Sequence, residues 1–224
     1  MRIDIVQFDR DVSAGTYGRL LAARGVACRC LTPEAGPDLD FSGADALLLL
    51  GGHMGVSEME DCPLLRDVHA LLPELVAAGK PVLAICLGAQ LLADALGGRA
   101  TKGRRGERSV QPIALTGAGR NDPLFAGLPN PFLSFQWHND SFDPPAAATH
   151  LAFTETCPGQ AFRYRNAYGL QFHPEVDEPI IAGWCRRAGV DETPLEAFRA
   201  SRAEQRQTSR RILENFLAMI GRQG

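Results

Sequence analysis

The chain has 224 residues, a net charge of −3, and 45% hydrophobic and 22% charged residues. That is the composition of a soluble globular protein, long enough to bury a sizeable core as one domain. It excludes a bulk basic field of the kind that attracts nucleic acid, and no apolar run approaches the ~18 residues of a membrane-spanning helix.

Arg2 to Phe8 reads as a first strand, opening the chain with no sign of a secretory signal. Ser13 can cap a helix that runs to about Arg24 and stops at Gly25. Val26 to Leu31 is a second strand, and the Pro-, Gly- and Asp-rich stretch 32–43 is a loop. Ala46 to Leu50 is a continuous apolar run, the pattern of a parallel strand covered on both faces. Gly51-Gly52-His53-Met54-Gly55 follows at its carboxyl end, where open α/β sheets bind ligands. Neither a Gly-Lys-Ser/Thr nor a GxGxxG pattern is there to make it a phosphate loop. Asp61 to Ala78 carries a helical apolar stripe, with Pro73 expected to kink or break it and His69 off the stripe, facing solvent.

Pro81 to Gly98 is the most informative stretch. Val82-Leu83-Ala84-Ile85 continues as a buried strand, and Leu87 to Leu96 has helical apolar spacing before a Gly97-Gly98 stop. Cys86 sits between them, with small residues, Ala84 and Gly88, two positions away on each side. A sharp strand-to-helix turn needs that smallness, and it is the nucleophile-elbow pattern with sulfur in place of hydroxyl. A thiol at a helix N-terminus is favoured as thiolate, and the Leu87 amide is free to face an oxyanion. Taken alone, Cys86 could equally be an inert core cysteine at a strand end.

Thr101 to Arg108 is a basic loop, either simply solvated or able to dock an anion. Strands are expected at 109–115, 132–136, 149–154, 160–164 and 167–172, then helices at 178–187 and 194–220. The six cysteines lack metal-ligand spacing, so we expect them reduced, in a cytoplasmic protein, with no metal and no cofactor. Cys28 and Cys30 would share one strand face, which does not make a zinc site. The expected fold is α/β, an open, mostly parallel central sheet with helices on both faces and added antiparallel strands in the second half.

A cysteine nucleophile needs a base, and the base an orienting group. His173 ends a strand in Gly-Leu-Gln-Phe-His-Pro-Glu, and Glu175, two residues on, lies on the same side of an extended chain. Pro174 biases His173 towards extended backbone. His138, with Asp140 two residues on, is a rival that spacing alone does not rank.

Five stretches, LLLLGG (47–52), PVLAICLGAQLLADALGG (81–98), QWHND (136–140), QAFRY (160–164) and GLQFHPEV (169–176), resemble class I glutamine amidotransferases in content and order. The likeness is to stand-alone proteins similar to the amidotransferase half of GMP synthase, and it covers residues 1 to about 185. It implies a flavodoxin-like single domain, with a core over 1–187 and a C-terminal helical extension over 188–224. It implies Cys86 as nucleophile, His173 as base, Glu175 as orienter, and Gly52 and Leu87 as oxyanion donors. Gly51, Gln90, His138, Asn139 and Asp140 would lie around the substrate, and His53, where the family more often has proline, could touch it. The implied activity is hydrolysis of the glutamine side-chain amide through a γ-glutamyl thioester, with ammonia handed to a separate synthase partner. Alternatives are a self-sufficient γ-glutamyl peptide or amine hydrolase and a non-catalytic binding module.

Overall fold

A computed structural model describes residues 1–33 and 39–221. Part of the loop expected over 32–43, at 34–38, and the last three residues of the C-terminal extension lie outside the described residues. In chain order the elements are β1 (Arg2–Val6), α1 (Gly15–Ala23), β2 (Ala27–Leu31), β3 (Ala46–Leu49), α2 (Pro63–Ala77), β4 (Val82–Ile85), α3 (Leu87–Ala95), β5 (Arg99–Thr101), β6 (Glu107–Leu115), α4 (Gly117–Arg120), β7 (Phe132–His138), β8 (Ser141–Asp143), β9 (Thr149–Phe153), β10 (Ala161–Tyr164), β11 (Ala167–Leu170), α5 (Glu178–Ala188), α6 (Thr193–Ala200) and α7 (Arg202–Ile220).

Nine strands form one mixed sheet in the order β2-β1-β3-β4-β11-β10-β9-β6-β7. The first five run parallel, and from β11 onwards the neighbours are antiparallel. Strands β5 and β8 make a separate antiparallel pair. Period-2 alternation divides the parallel strands between two layers. Leu48, Leu83 and Ile85 pack with Tyr17 and Leu21 of α1 and Ile212 and Phe216 of α7. Leu47, Leu49, Val82 and Ala84 pack on the other face with Val68 and Leu72 of α2 and Leu91 of α3. A third cluster joins Phe135 of β7 to Trp184 of α5 and Phe198 of α6.

Four expectations are corrected. Ser13 caps nothing: α1 starts at Gly15 with no side-chain cap, and its first turn is instead tied down by Thr16 N donating to the Glu175 carbonyl at 2.7 Å. Pro73 does not break α2, which runs from Pro63 to Ala77; the proline is on the exposed face, where water can take the carbonyl it leaves without a donor. His69 is half-buried rather than solvent-facing, with Nε2 3.0 Å from Asp94 Oδ2, so it ties α2 to α3. The helix expected over 194–220 is two helices broken at Ser201.

The elbow is built from close contacts. Cys86 has φ 51° and ψ −110°, left-handed backbone that an L-residue adopts at a cost of about 1–3 kcal/mol. The Cys86 amide donates to the Leu170 carbonyl at 2.7 Å, and Gln90 N donates to the Cys86 carbonyl at 2.9 Å. A Cβ at Gly88 would stand 2.7 Å from the Leu49 carbonyl oxygen, so α3 can leave the sheet this tightly only with glycine there. We expect Gly88→Ala to destabilise the fold by about 1–3 kcal/mol through overpacking against backbone. Denaturant unfolding at the wild-type midpoint would show instead that the elbow can open.

Candidate active site

Three neighbouring parallel strands deliver the site. From β3 come Gly51 and Gly52, from β4 comes Cys86, and β11 leads through Gln171 to His173. His173 is fixed from behind, its amide donating to the Phe135 carbonyl of β7 at 2.8 Å. His173 Nδ1 lies 2.8 Å from Glu175 Oε1, and both side chains are buried. The second ring nitrogen, Nε2, is buried with no hydrogen-bond partner among the described residues, and the neighbouring Cys86 acts on the ring by charge. Gly51 explains how the two fit. A Cβ there would be 3.2 Å from His173 Cε1 and 3.5 Å from Cys86 Cβ, so any side chain would wedge into them. Gly51 is therefore packed against the pair.

Burial alone would strip the His173 proton, but the Glu175 carboxylate and the adjacent Cys86 outweigh it and raise the imidazole to about 10. The ring is thus set to hold a proton at neutral pH. Trp184 meets it edge-on with centroids 4.9 Å apart and shields it. Gln171 Nε2 donates towards Cys86 Sγ at 3.7 Å. The amides of Gly52 and Leu87 donate to no backbone carbonyl among the described residues. The Leu87 side chain packs against Gly52, where a Cβ would meet Leu87 Cδ2 at 2.8 Å.

A cavity of about 370 Å³ opens on Cys86 and His173 and is lined also by Gly52, His53, Gln90, His138, Asn139 and Asp140. A larger cleft, about 630 Å³, reaches the far side of His173 but not Cys86. Gln90 is buried and donates to the Asp140 carbonyl at 3.1 Å and to Gln171 Oε1 at 3.3 Å. His53, at the cavity rim, has Nδ1 2.5 Å from Asp9 Oδ2, and Arg187 pairs with the same carboxylate at 3.2 Å. Burial pushes the Asp9 carboxyl up, but the Asp11 amide, His53 and Arg187 together hold it below its usual range. Most of the basic loop is paired within the chain: Lys102 with Glu58 at 2.9 Å, Arg105 with Asp143 at 2.8 Å, and Arg108 stacked on Trp137 at 4.6 Å.

A second Cys-His-Glu grouping lies beneath this cavity. Donor atoms of Cys157, His138 and Glu107 are all within 4.8 Å of one another. It lacks the features of the first. Cys157 stands at no helix start, and burial, reinforced by Glu107, pushes its thiol up to about 12. His138, the rival base by sequence, faces Glu107 and turns its Nδ1 to the Asp140 carbonyl.

Sequence reasoning missed Trp184, Gln171, Asp9 and Glu107. Gln171 lies inside the GLQFHPEV stretch, and its place between β11 and His173 was a usable signal. Trp184 and Asp9 carry none, because only tertiary packing brings α5 and the end of β1 to the cavity.

The model of the family "Glutamine amidotransferase class-I" matches residues 18–179. The glutamine amidotransferase-like protein YfeJ of Salmonella typhimurium is 34% identical over 189 residues, 82% of this chain and 79% of that one. One subunit of the glutamine-hydrolysing GMP synthase of Pyrococcus abyssi is 38% identical over 117 residues, 49% of this chain and 61% of the relative. The crystal structure of a glutamine amidotransferase from Thermotoga maritima superposes with a TM-score of 0.87 at 26% identity, covering 98% of both chains. With the match extending through the elbow and the His-Pro-Glu segment, the chain belongs to the class I glutamine amidotransferase family.

Proposed function

We propose that this chain hydrolyses the side-chain amide of glutamine at Cys86 and supplies the ammonia to a separate synthase. The observation that carries the reading is the buried His173–Glu175 pair at 2.8 Å, aimed at a cysteine on a strand-to-helix elbow. The thiolate sulfur of Cys86 attacks the amide carbon, and the oxyanion that forms rests on the free amides of Gly52 and Leu87. His173 gives its proton to the departing nitrogen as the C–N bond breaks, leaving a γ-glutamyl thioester and ammonia. The neutral ring then takes a proton from water, whose oxygen displaces the sulfur and releases glutamate. Glu175 holds the ring in the tautomer both steps need. Gln90, His138, Asn139 and Asp140 form the wall for the amino-acid end of glutamine, with His53 at the rim.

A synthase partner is supported by the Pyrococcus abyssi relative, which is named as one subunit of a GMP synthase. No helix among the described residues is long and apolar enough to cross a membrane, and all six cysteines are free. The free cysteines support a cytoplasmic setting. The cavity's continuation past Cys86 to a rim of Glu58, Lys102 and Arg187 favours a second reading, hydrolysis of γ-glutamyl peptides or amines by the same residues.

The first test is glutamate release from glutamine and from γ-glutamyl peptides and amines. Slow release from glutamine alone fits a protein waiting for its synthase, whereas fast release from a peptide with glutamine poor would replace that reading by the second. Cys86→Ala is expected to lower kcat by about 10⁴-fold or more in a folded protein, and near-normal turnover would remove Cys86 as nucleophile. His173→Ala should cost about 10³–10⁴-fold and Glu175→Gln roughly tenfold less, as an orienter is worth less than a base. Equal losses would give the carboxylate a larger part.

The raised His173 also makes stability depend on pH. Its native value, about 10, lies above the ordinary 6.5. The stabilisation is therefore complete below the ordinary value and is lost as pH rises through the native one. Thermal melts should decline between about pH 7 and pH 10, and His173→Gln should flatten that decline. An unchanged slope in the variant would put the proton elsewhere.

A further inference from the structure

Glu107 and His138 are direct partners in the antiparallel β6–β7 ladder, so their side chains stand opposite each other on one face. The side chains are 5% and 1% exposed, with His138 Nε2 3.3 Å from Glu107 Oε2. The carboxylate is held at both oxygens. Thr154 Oγ1 donates to Oε1 at 2.7 Å, and Gln160 Nε2 donates to Oε2 at 2.5 Å. Gln160 is itself locked, its Oε1 accepting from Gln136 Nε2 at 2.8 Å.

The ring's other contact fixes its direction. His138 Nδ1 is 2.9 Å from the Asp140 carbonyl, which can only accept, so Nδ1 carries a hydrogen. The same carbonyl takes Gln90 Nε2 at 3.1 Å, and Gln90 reaches Gln171, which donates to Cys86. His138, Asp140 and Gln90 line the cavity, whereas Glu107 does not touch it. Cys157 completes the cluster, but both Glu107 oxygens are already occupied by hydrogen-bond donors and the Cys157 thiol points to the Gly159 carbonyl at 3.9 Å. His138 Nε2 has no hydrogen-bond partner among the described residues, so Glu107 meets the ring through the 3.3 Å contact across the ladder, with the carboxylate held by Thr154 and Gln160 and the ring by the Asp140 carbonyl.

We propose that Glu107 is a positioning residue for substrate recognition: by holding His138 it fixes the Asp140 carbonyl and the Gln90 amide that face the amino-acid end of glutamine. This rests on the glutamine reading above. Glu107 acts on binding and leaves the reacting atoms alone, so its loss separates KM from kcat.

The test compares Glu107→Ala and Glu107→Gln for KM and kcat with glutamine, for alkylation of Cys86 by iodoacetamide, and for melting temperature. Glu107→Ala is expected to raise KM about tenfold while kcat stays within about threefold and alkylation within about twofold. Glu107→Gln can donate an amide hydrogen to His138 Nε2 and should recover most of the KM. If Glu107→Ala does not fold, Glu107→Asp, which withdraws the carboxylate by one methylene, carries the same comparison. An unchanged KM overturns the proposal, and so does a parallel fall of KM performance, kcat, alkylation and melting temperature. Stoichiometric zinc in the purified protein, lost in Cys157→Ser, would also overturn it. If the wild-type protein neither hydrolyses glutamine nor is protected by it from iodoacetamide, the glutamine reading fails and takes this proposal with it. Normal wild-type behaviour with indifferent Glu107 variants defeats the proposal alone.

Discussion

The left-handed backbone at Cys86 is the constraint on which the site depends. It is disfavoured for an L-residue, and the surroundings impose it. The Leu170 carbonyl pulls the Cys86 amide towards β11, while Gly88 lets α3 lie against Leu49 of β3. The two strands that flank β4 thus hold the elbow from both sides. Those strands also deliver Gly51, Gly52 and His173, so the contacts that strain the cysteine also bring its partners to it. A change that relaxed the turn would loosen the pocket as well.

Electrostatics follows from the same compactness. His173 and Glu175 are buried together, and an ion pair there is stabilising only because each charge has its partner and the thiol is adjacent. Further out, the charges on the cavity rim pair with one another: His53 with Asp9, Arg187 with Asp9 and Asp11, Lys102 with Glu58. The interior of the site therefore contains a committed proton, and its edge is close to neutral.

The parallel half of the fold was legible because its signals are local. Continuous apolar runs at 46–50 and 82–85 mark buried strands, and small residues around Cys86 mark the turn. The second half was less so. The pairing of β5 with β8 joins strands of three residues each, too short for periodicity to register. The break at Ser201 is also silent, because it falls in the polar stretch 199–211, where only Ala200 and Ala203 are apolar and no spacing exists to be interrupted. At the site, residue type and spacing picked out Cys86 but left His173 with Glu175 and His138 with Asp140 as rivals that only the family resemblance ranked, and the structure places Cys86, His173 and Glu175 side by side. Gly51, expected at the substrate, packs against Cys86 and His173. Glu107 was invisible because its meaning lies in a cross-strand register that places it opposite His138.

The anchoring of α1 has a consequence for how the protein comes into being. Thr16 and Arg19 bond to Val176 and Asp177 across about 160 residues of chain. Such contacts close only after nearly everything between them has been made, and loops of that length form slowly. On a ribosome, the elbow and its cysteine emerge long before the histidine and glutamate that complete the set. The nascent chain therefore carries Cys86 without His173 and Glu175 while the residues between Cys86 and His173 are made. The side-by-side arrangement of Cys86, His173 and Glu175 therefore forms long after the elbow has been made.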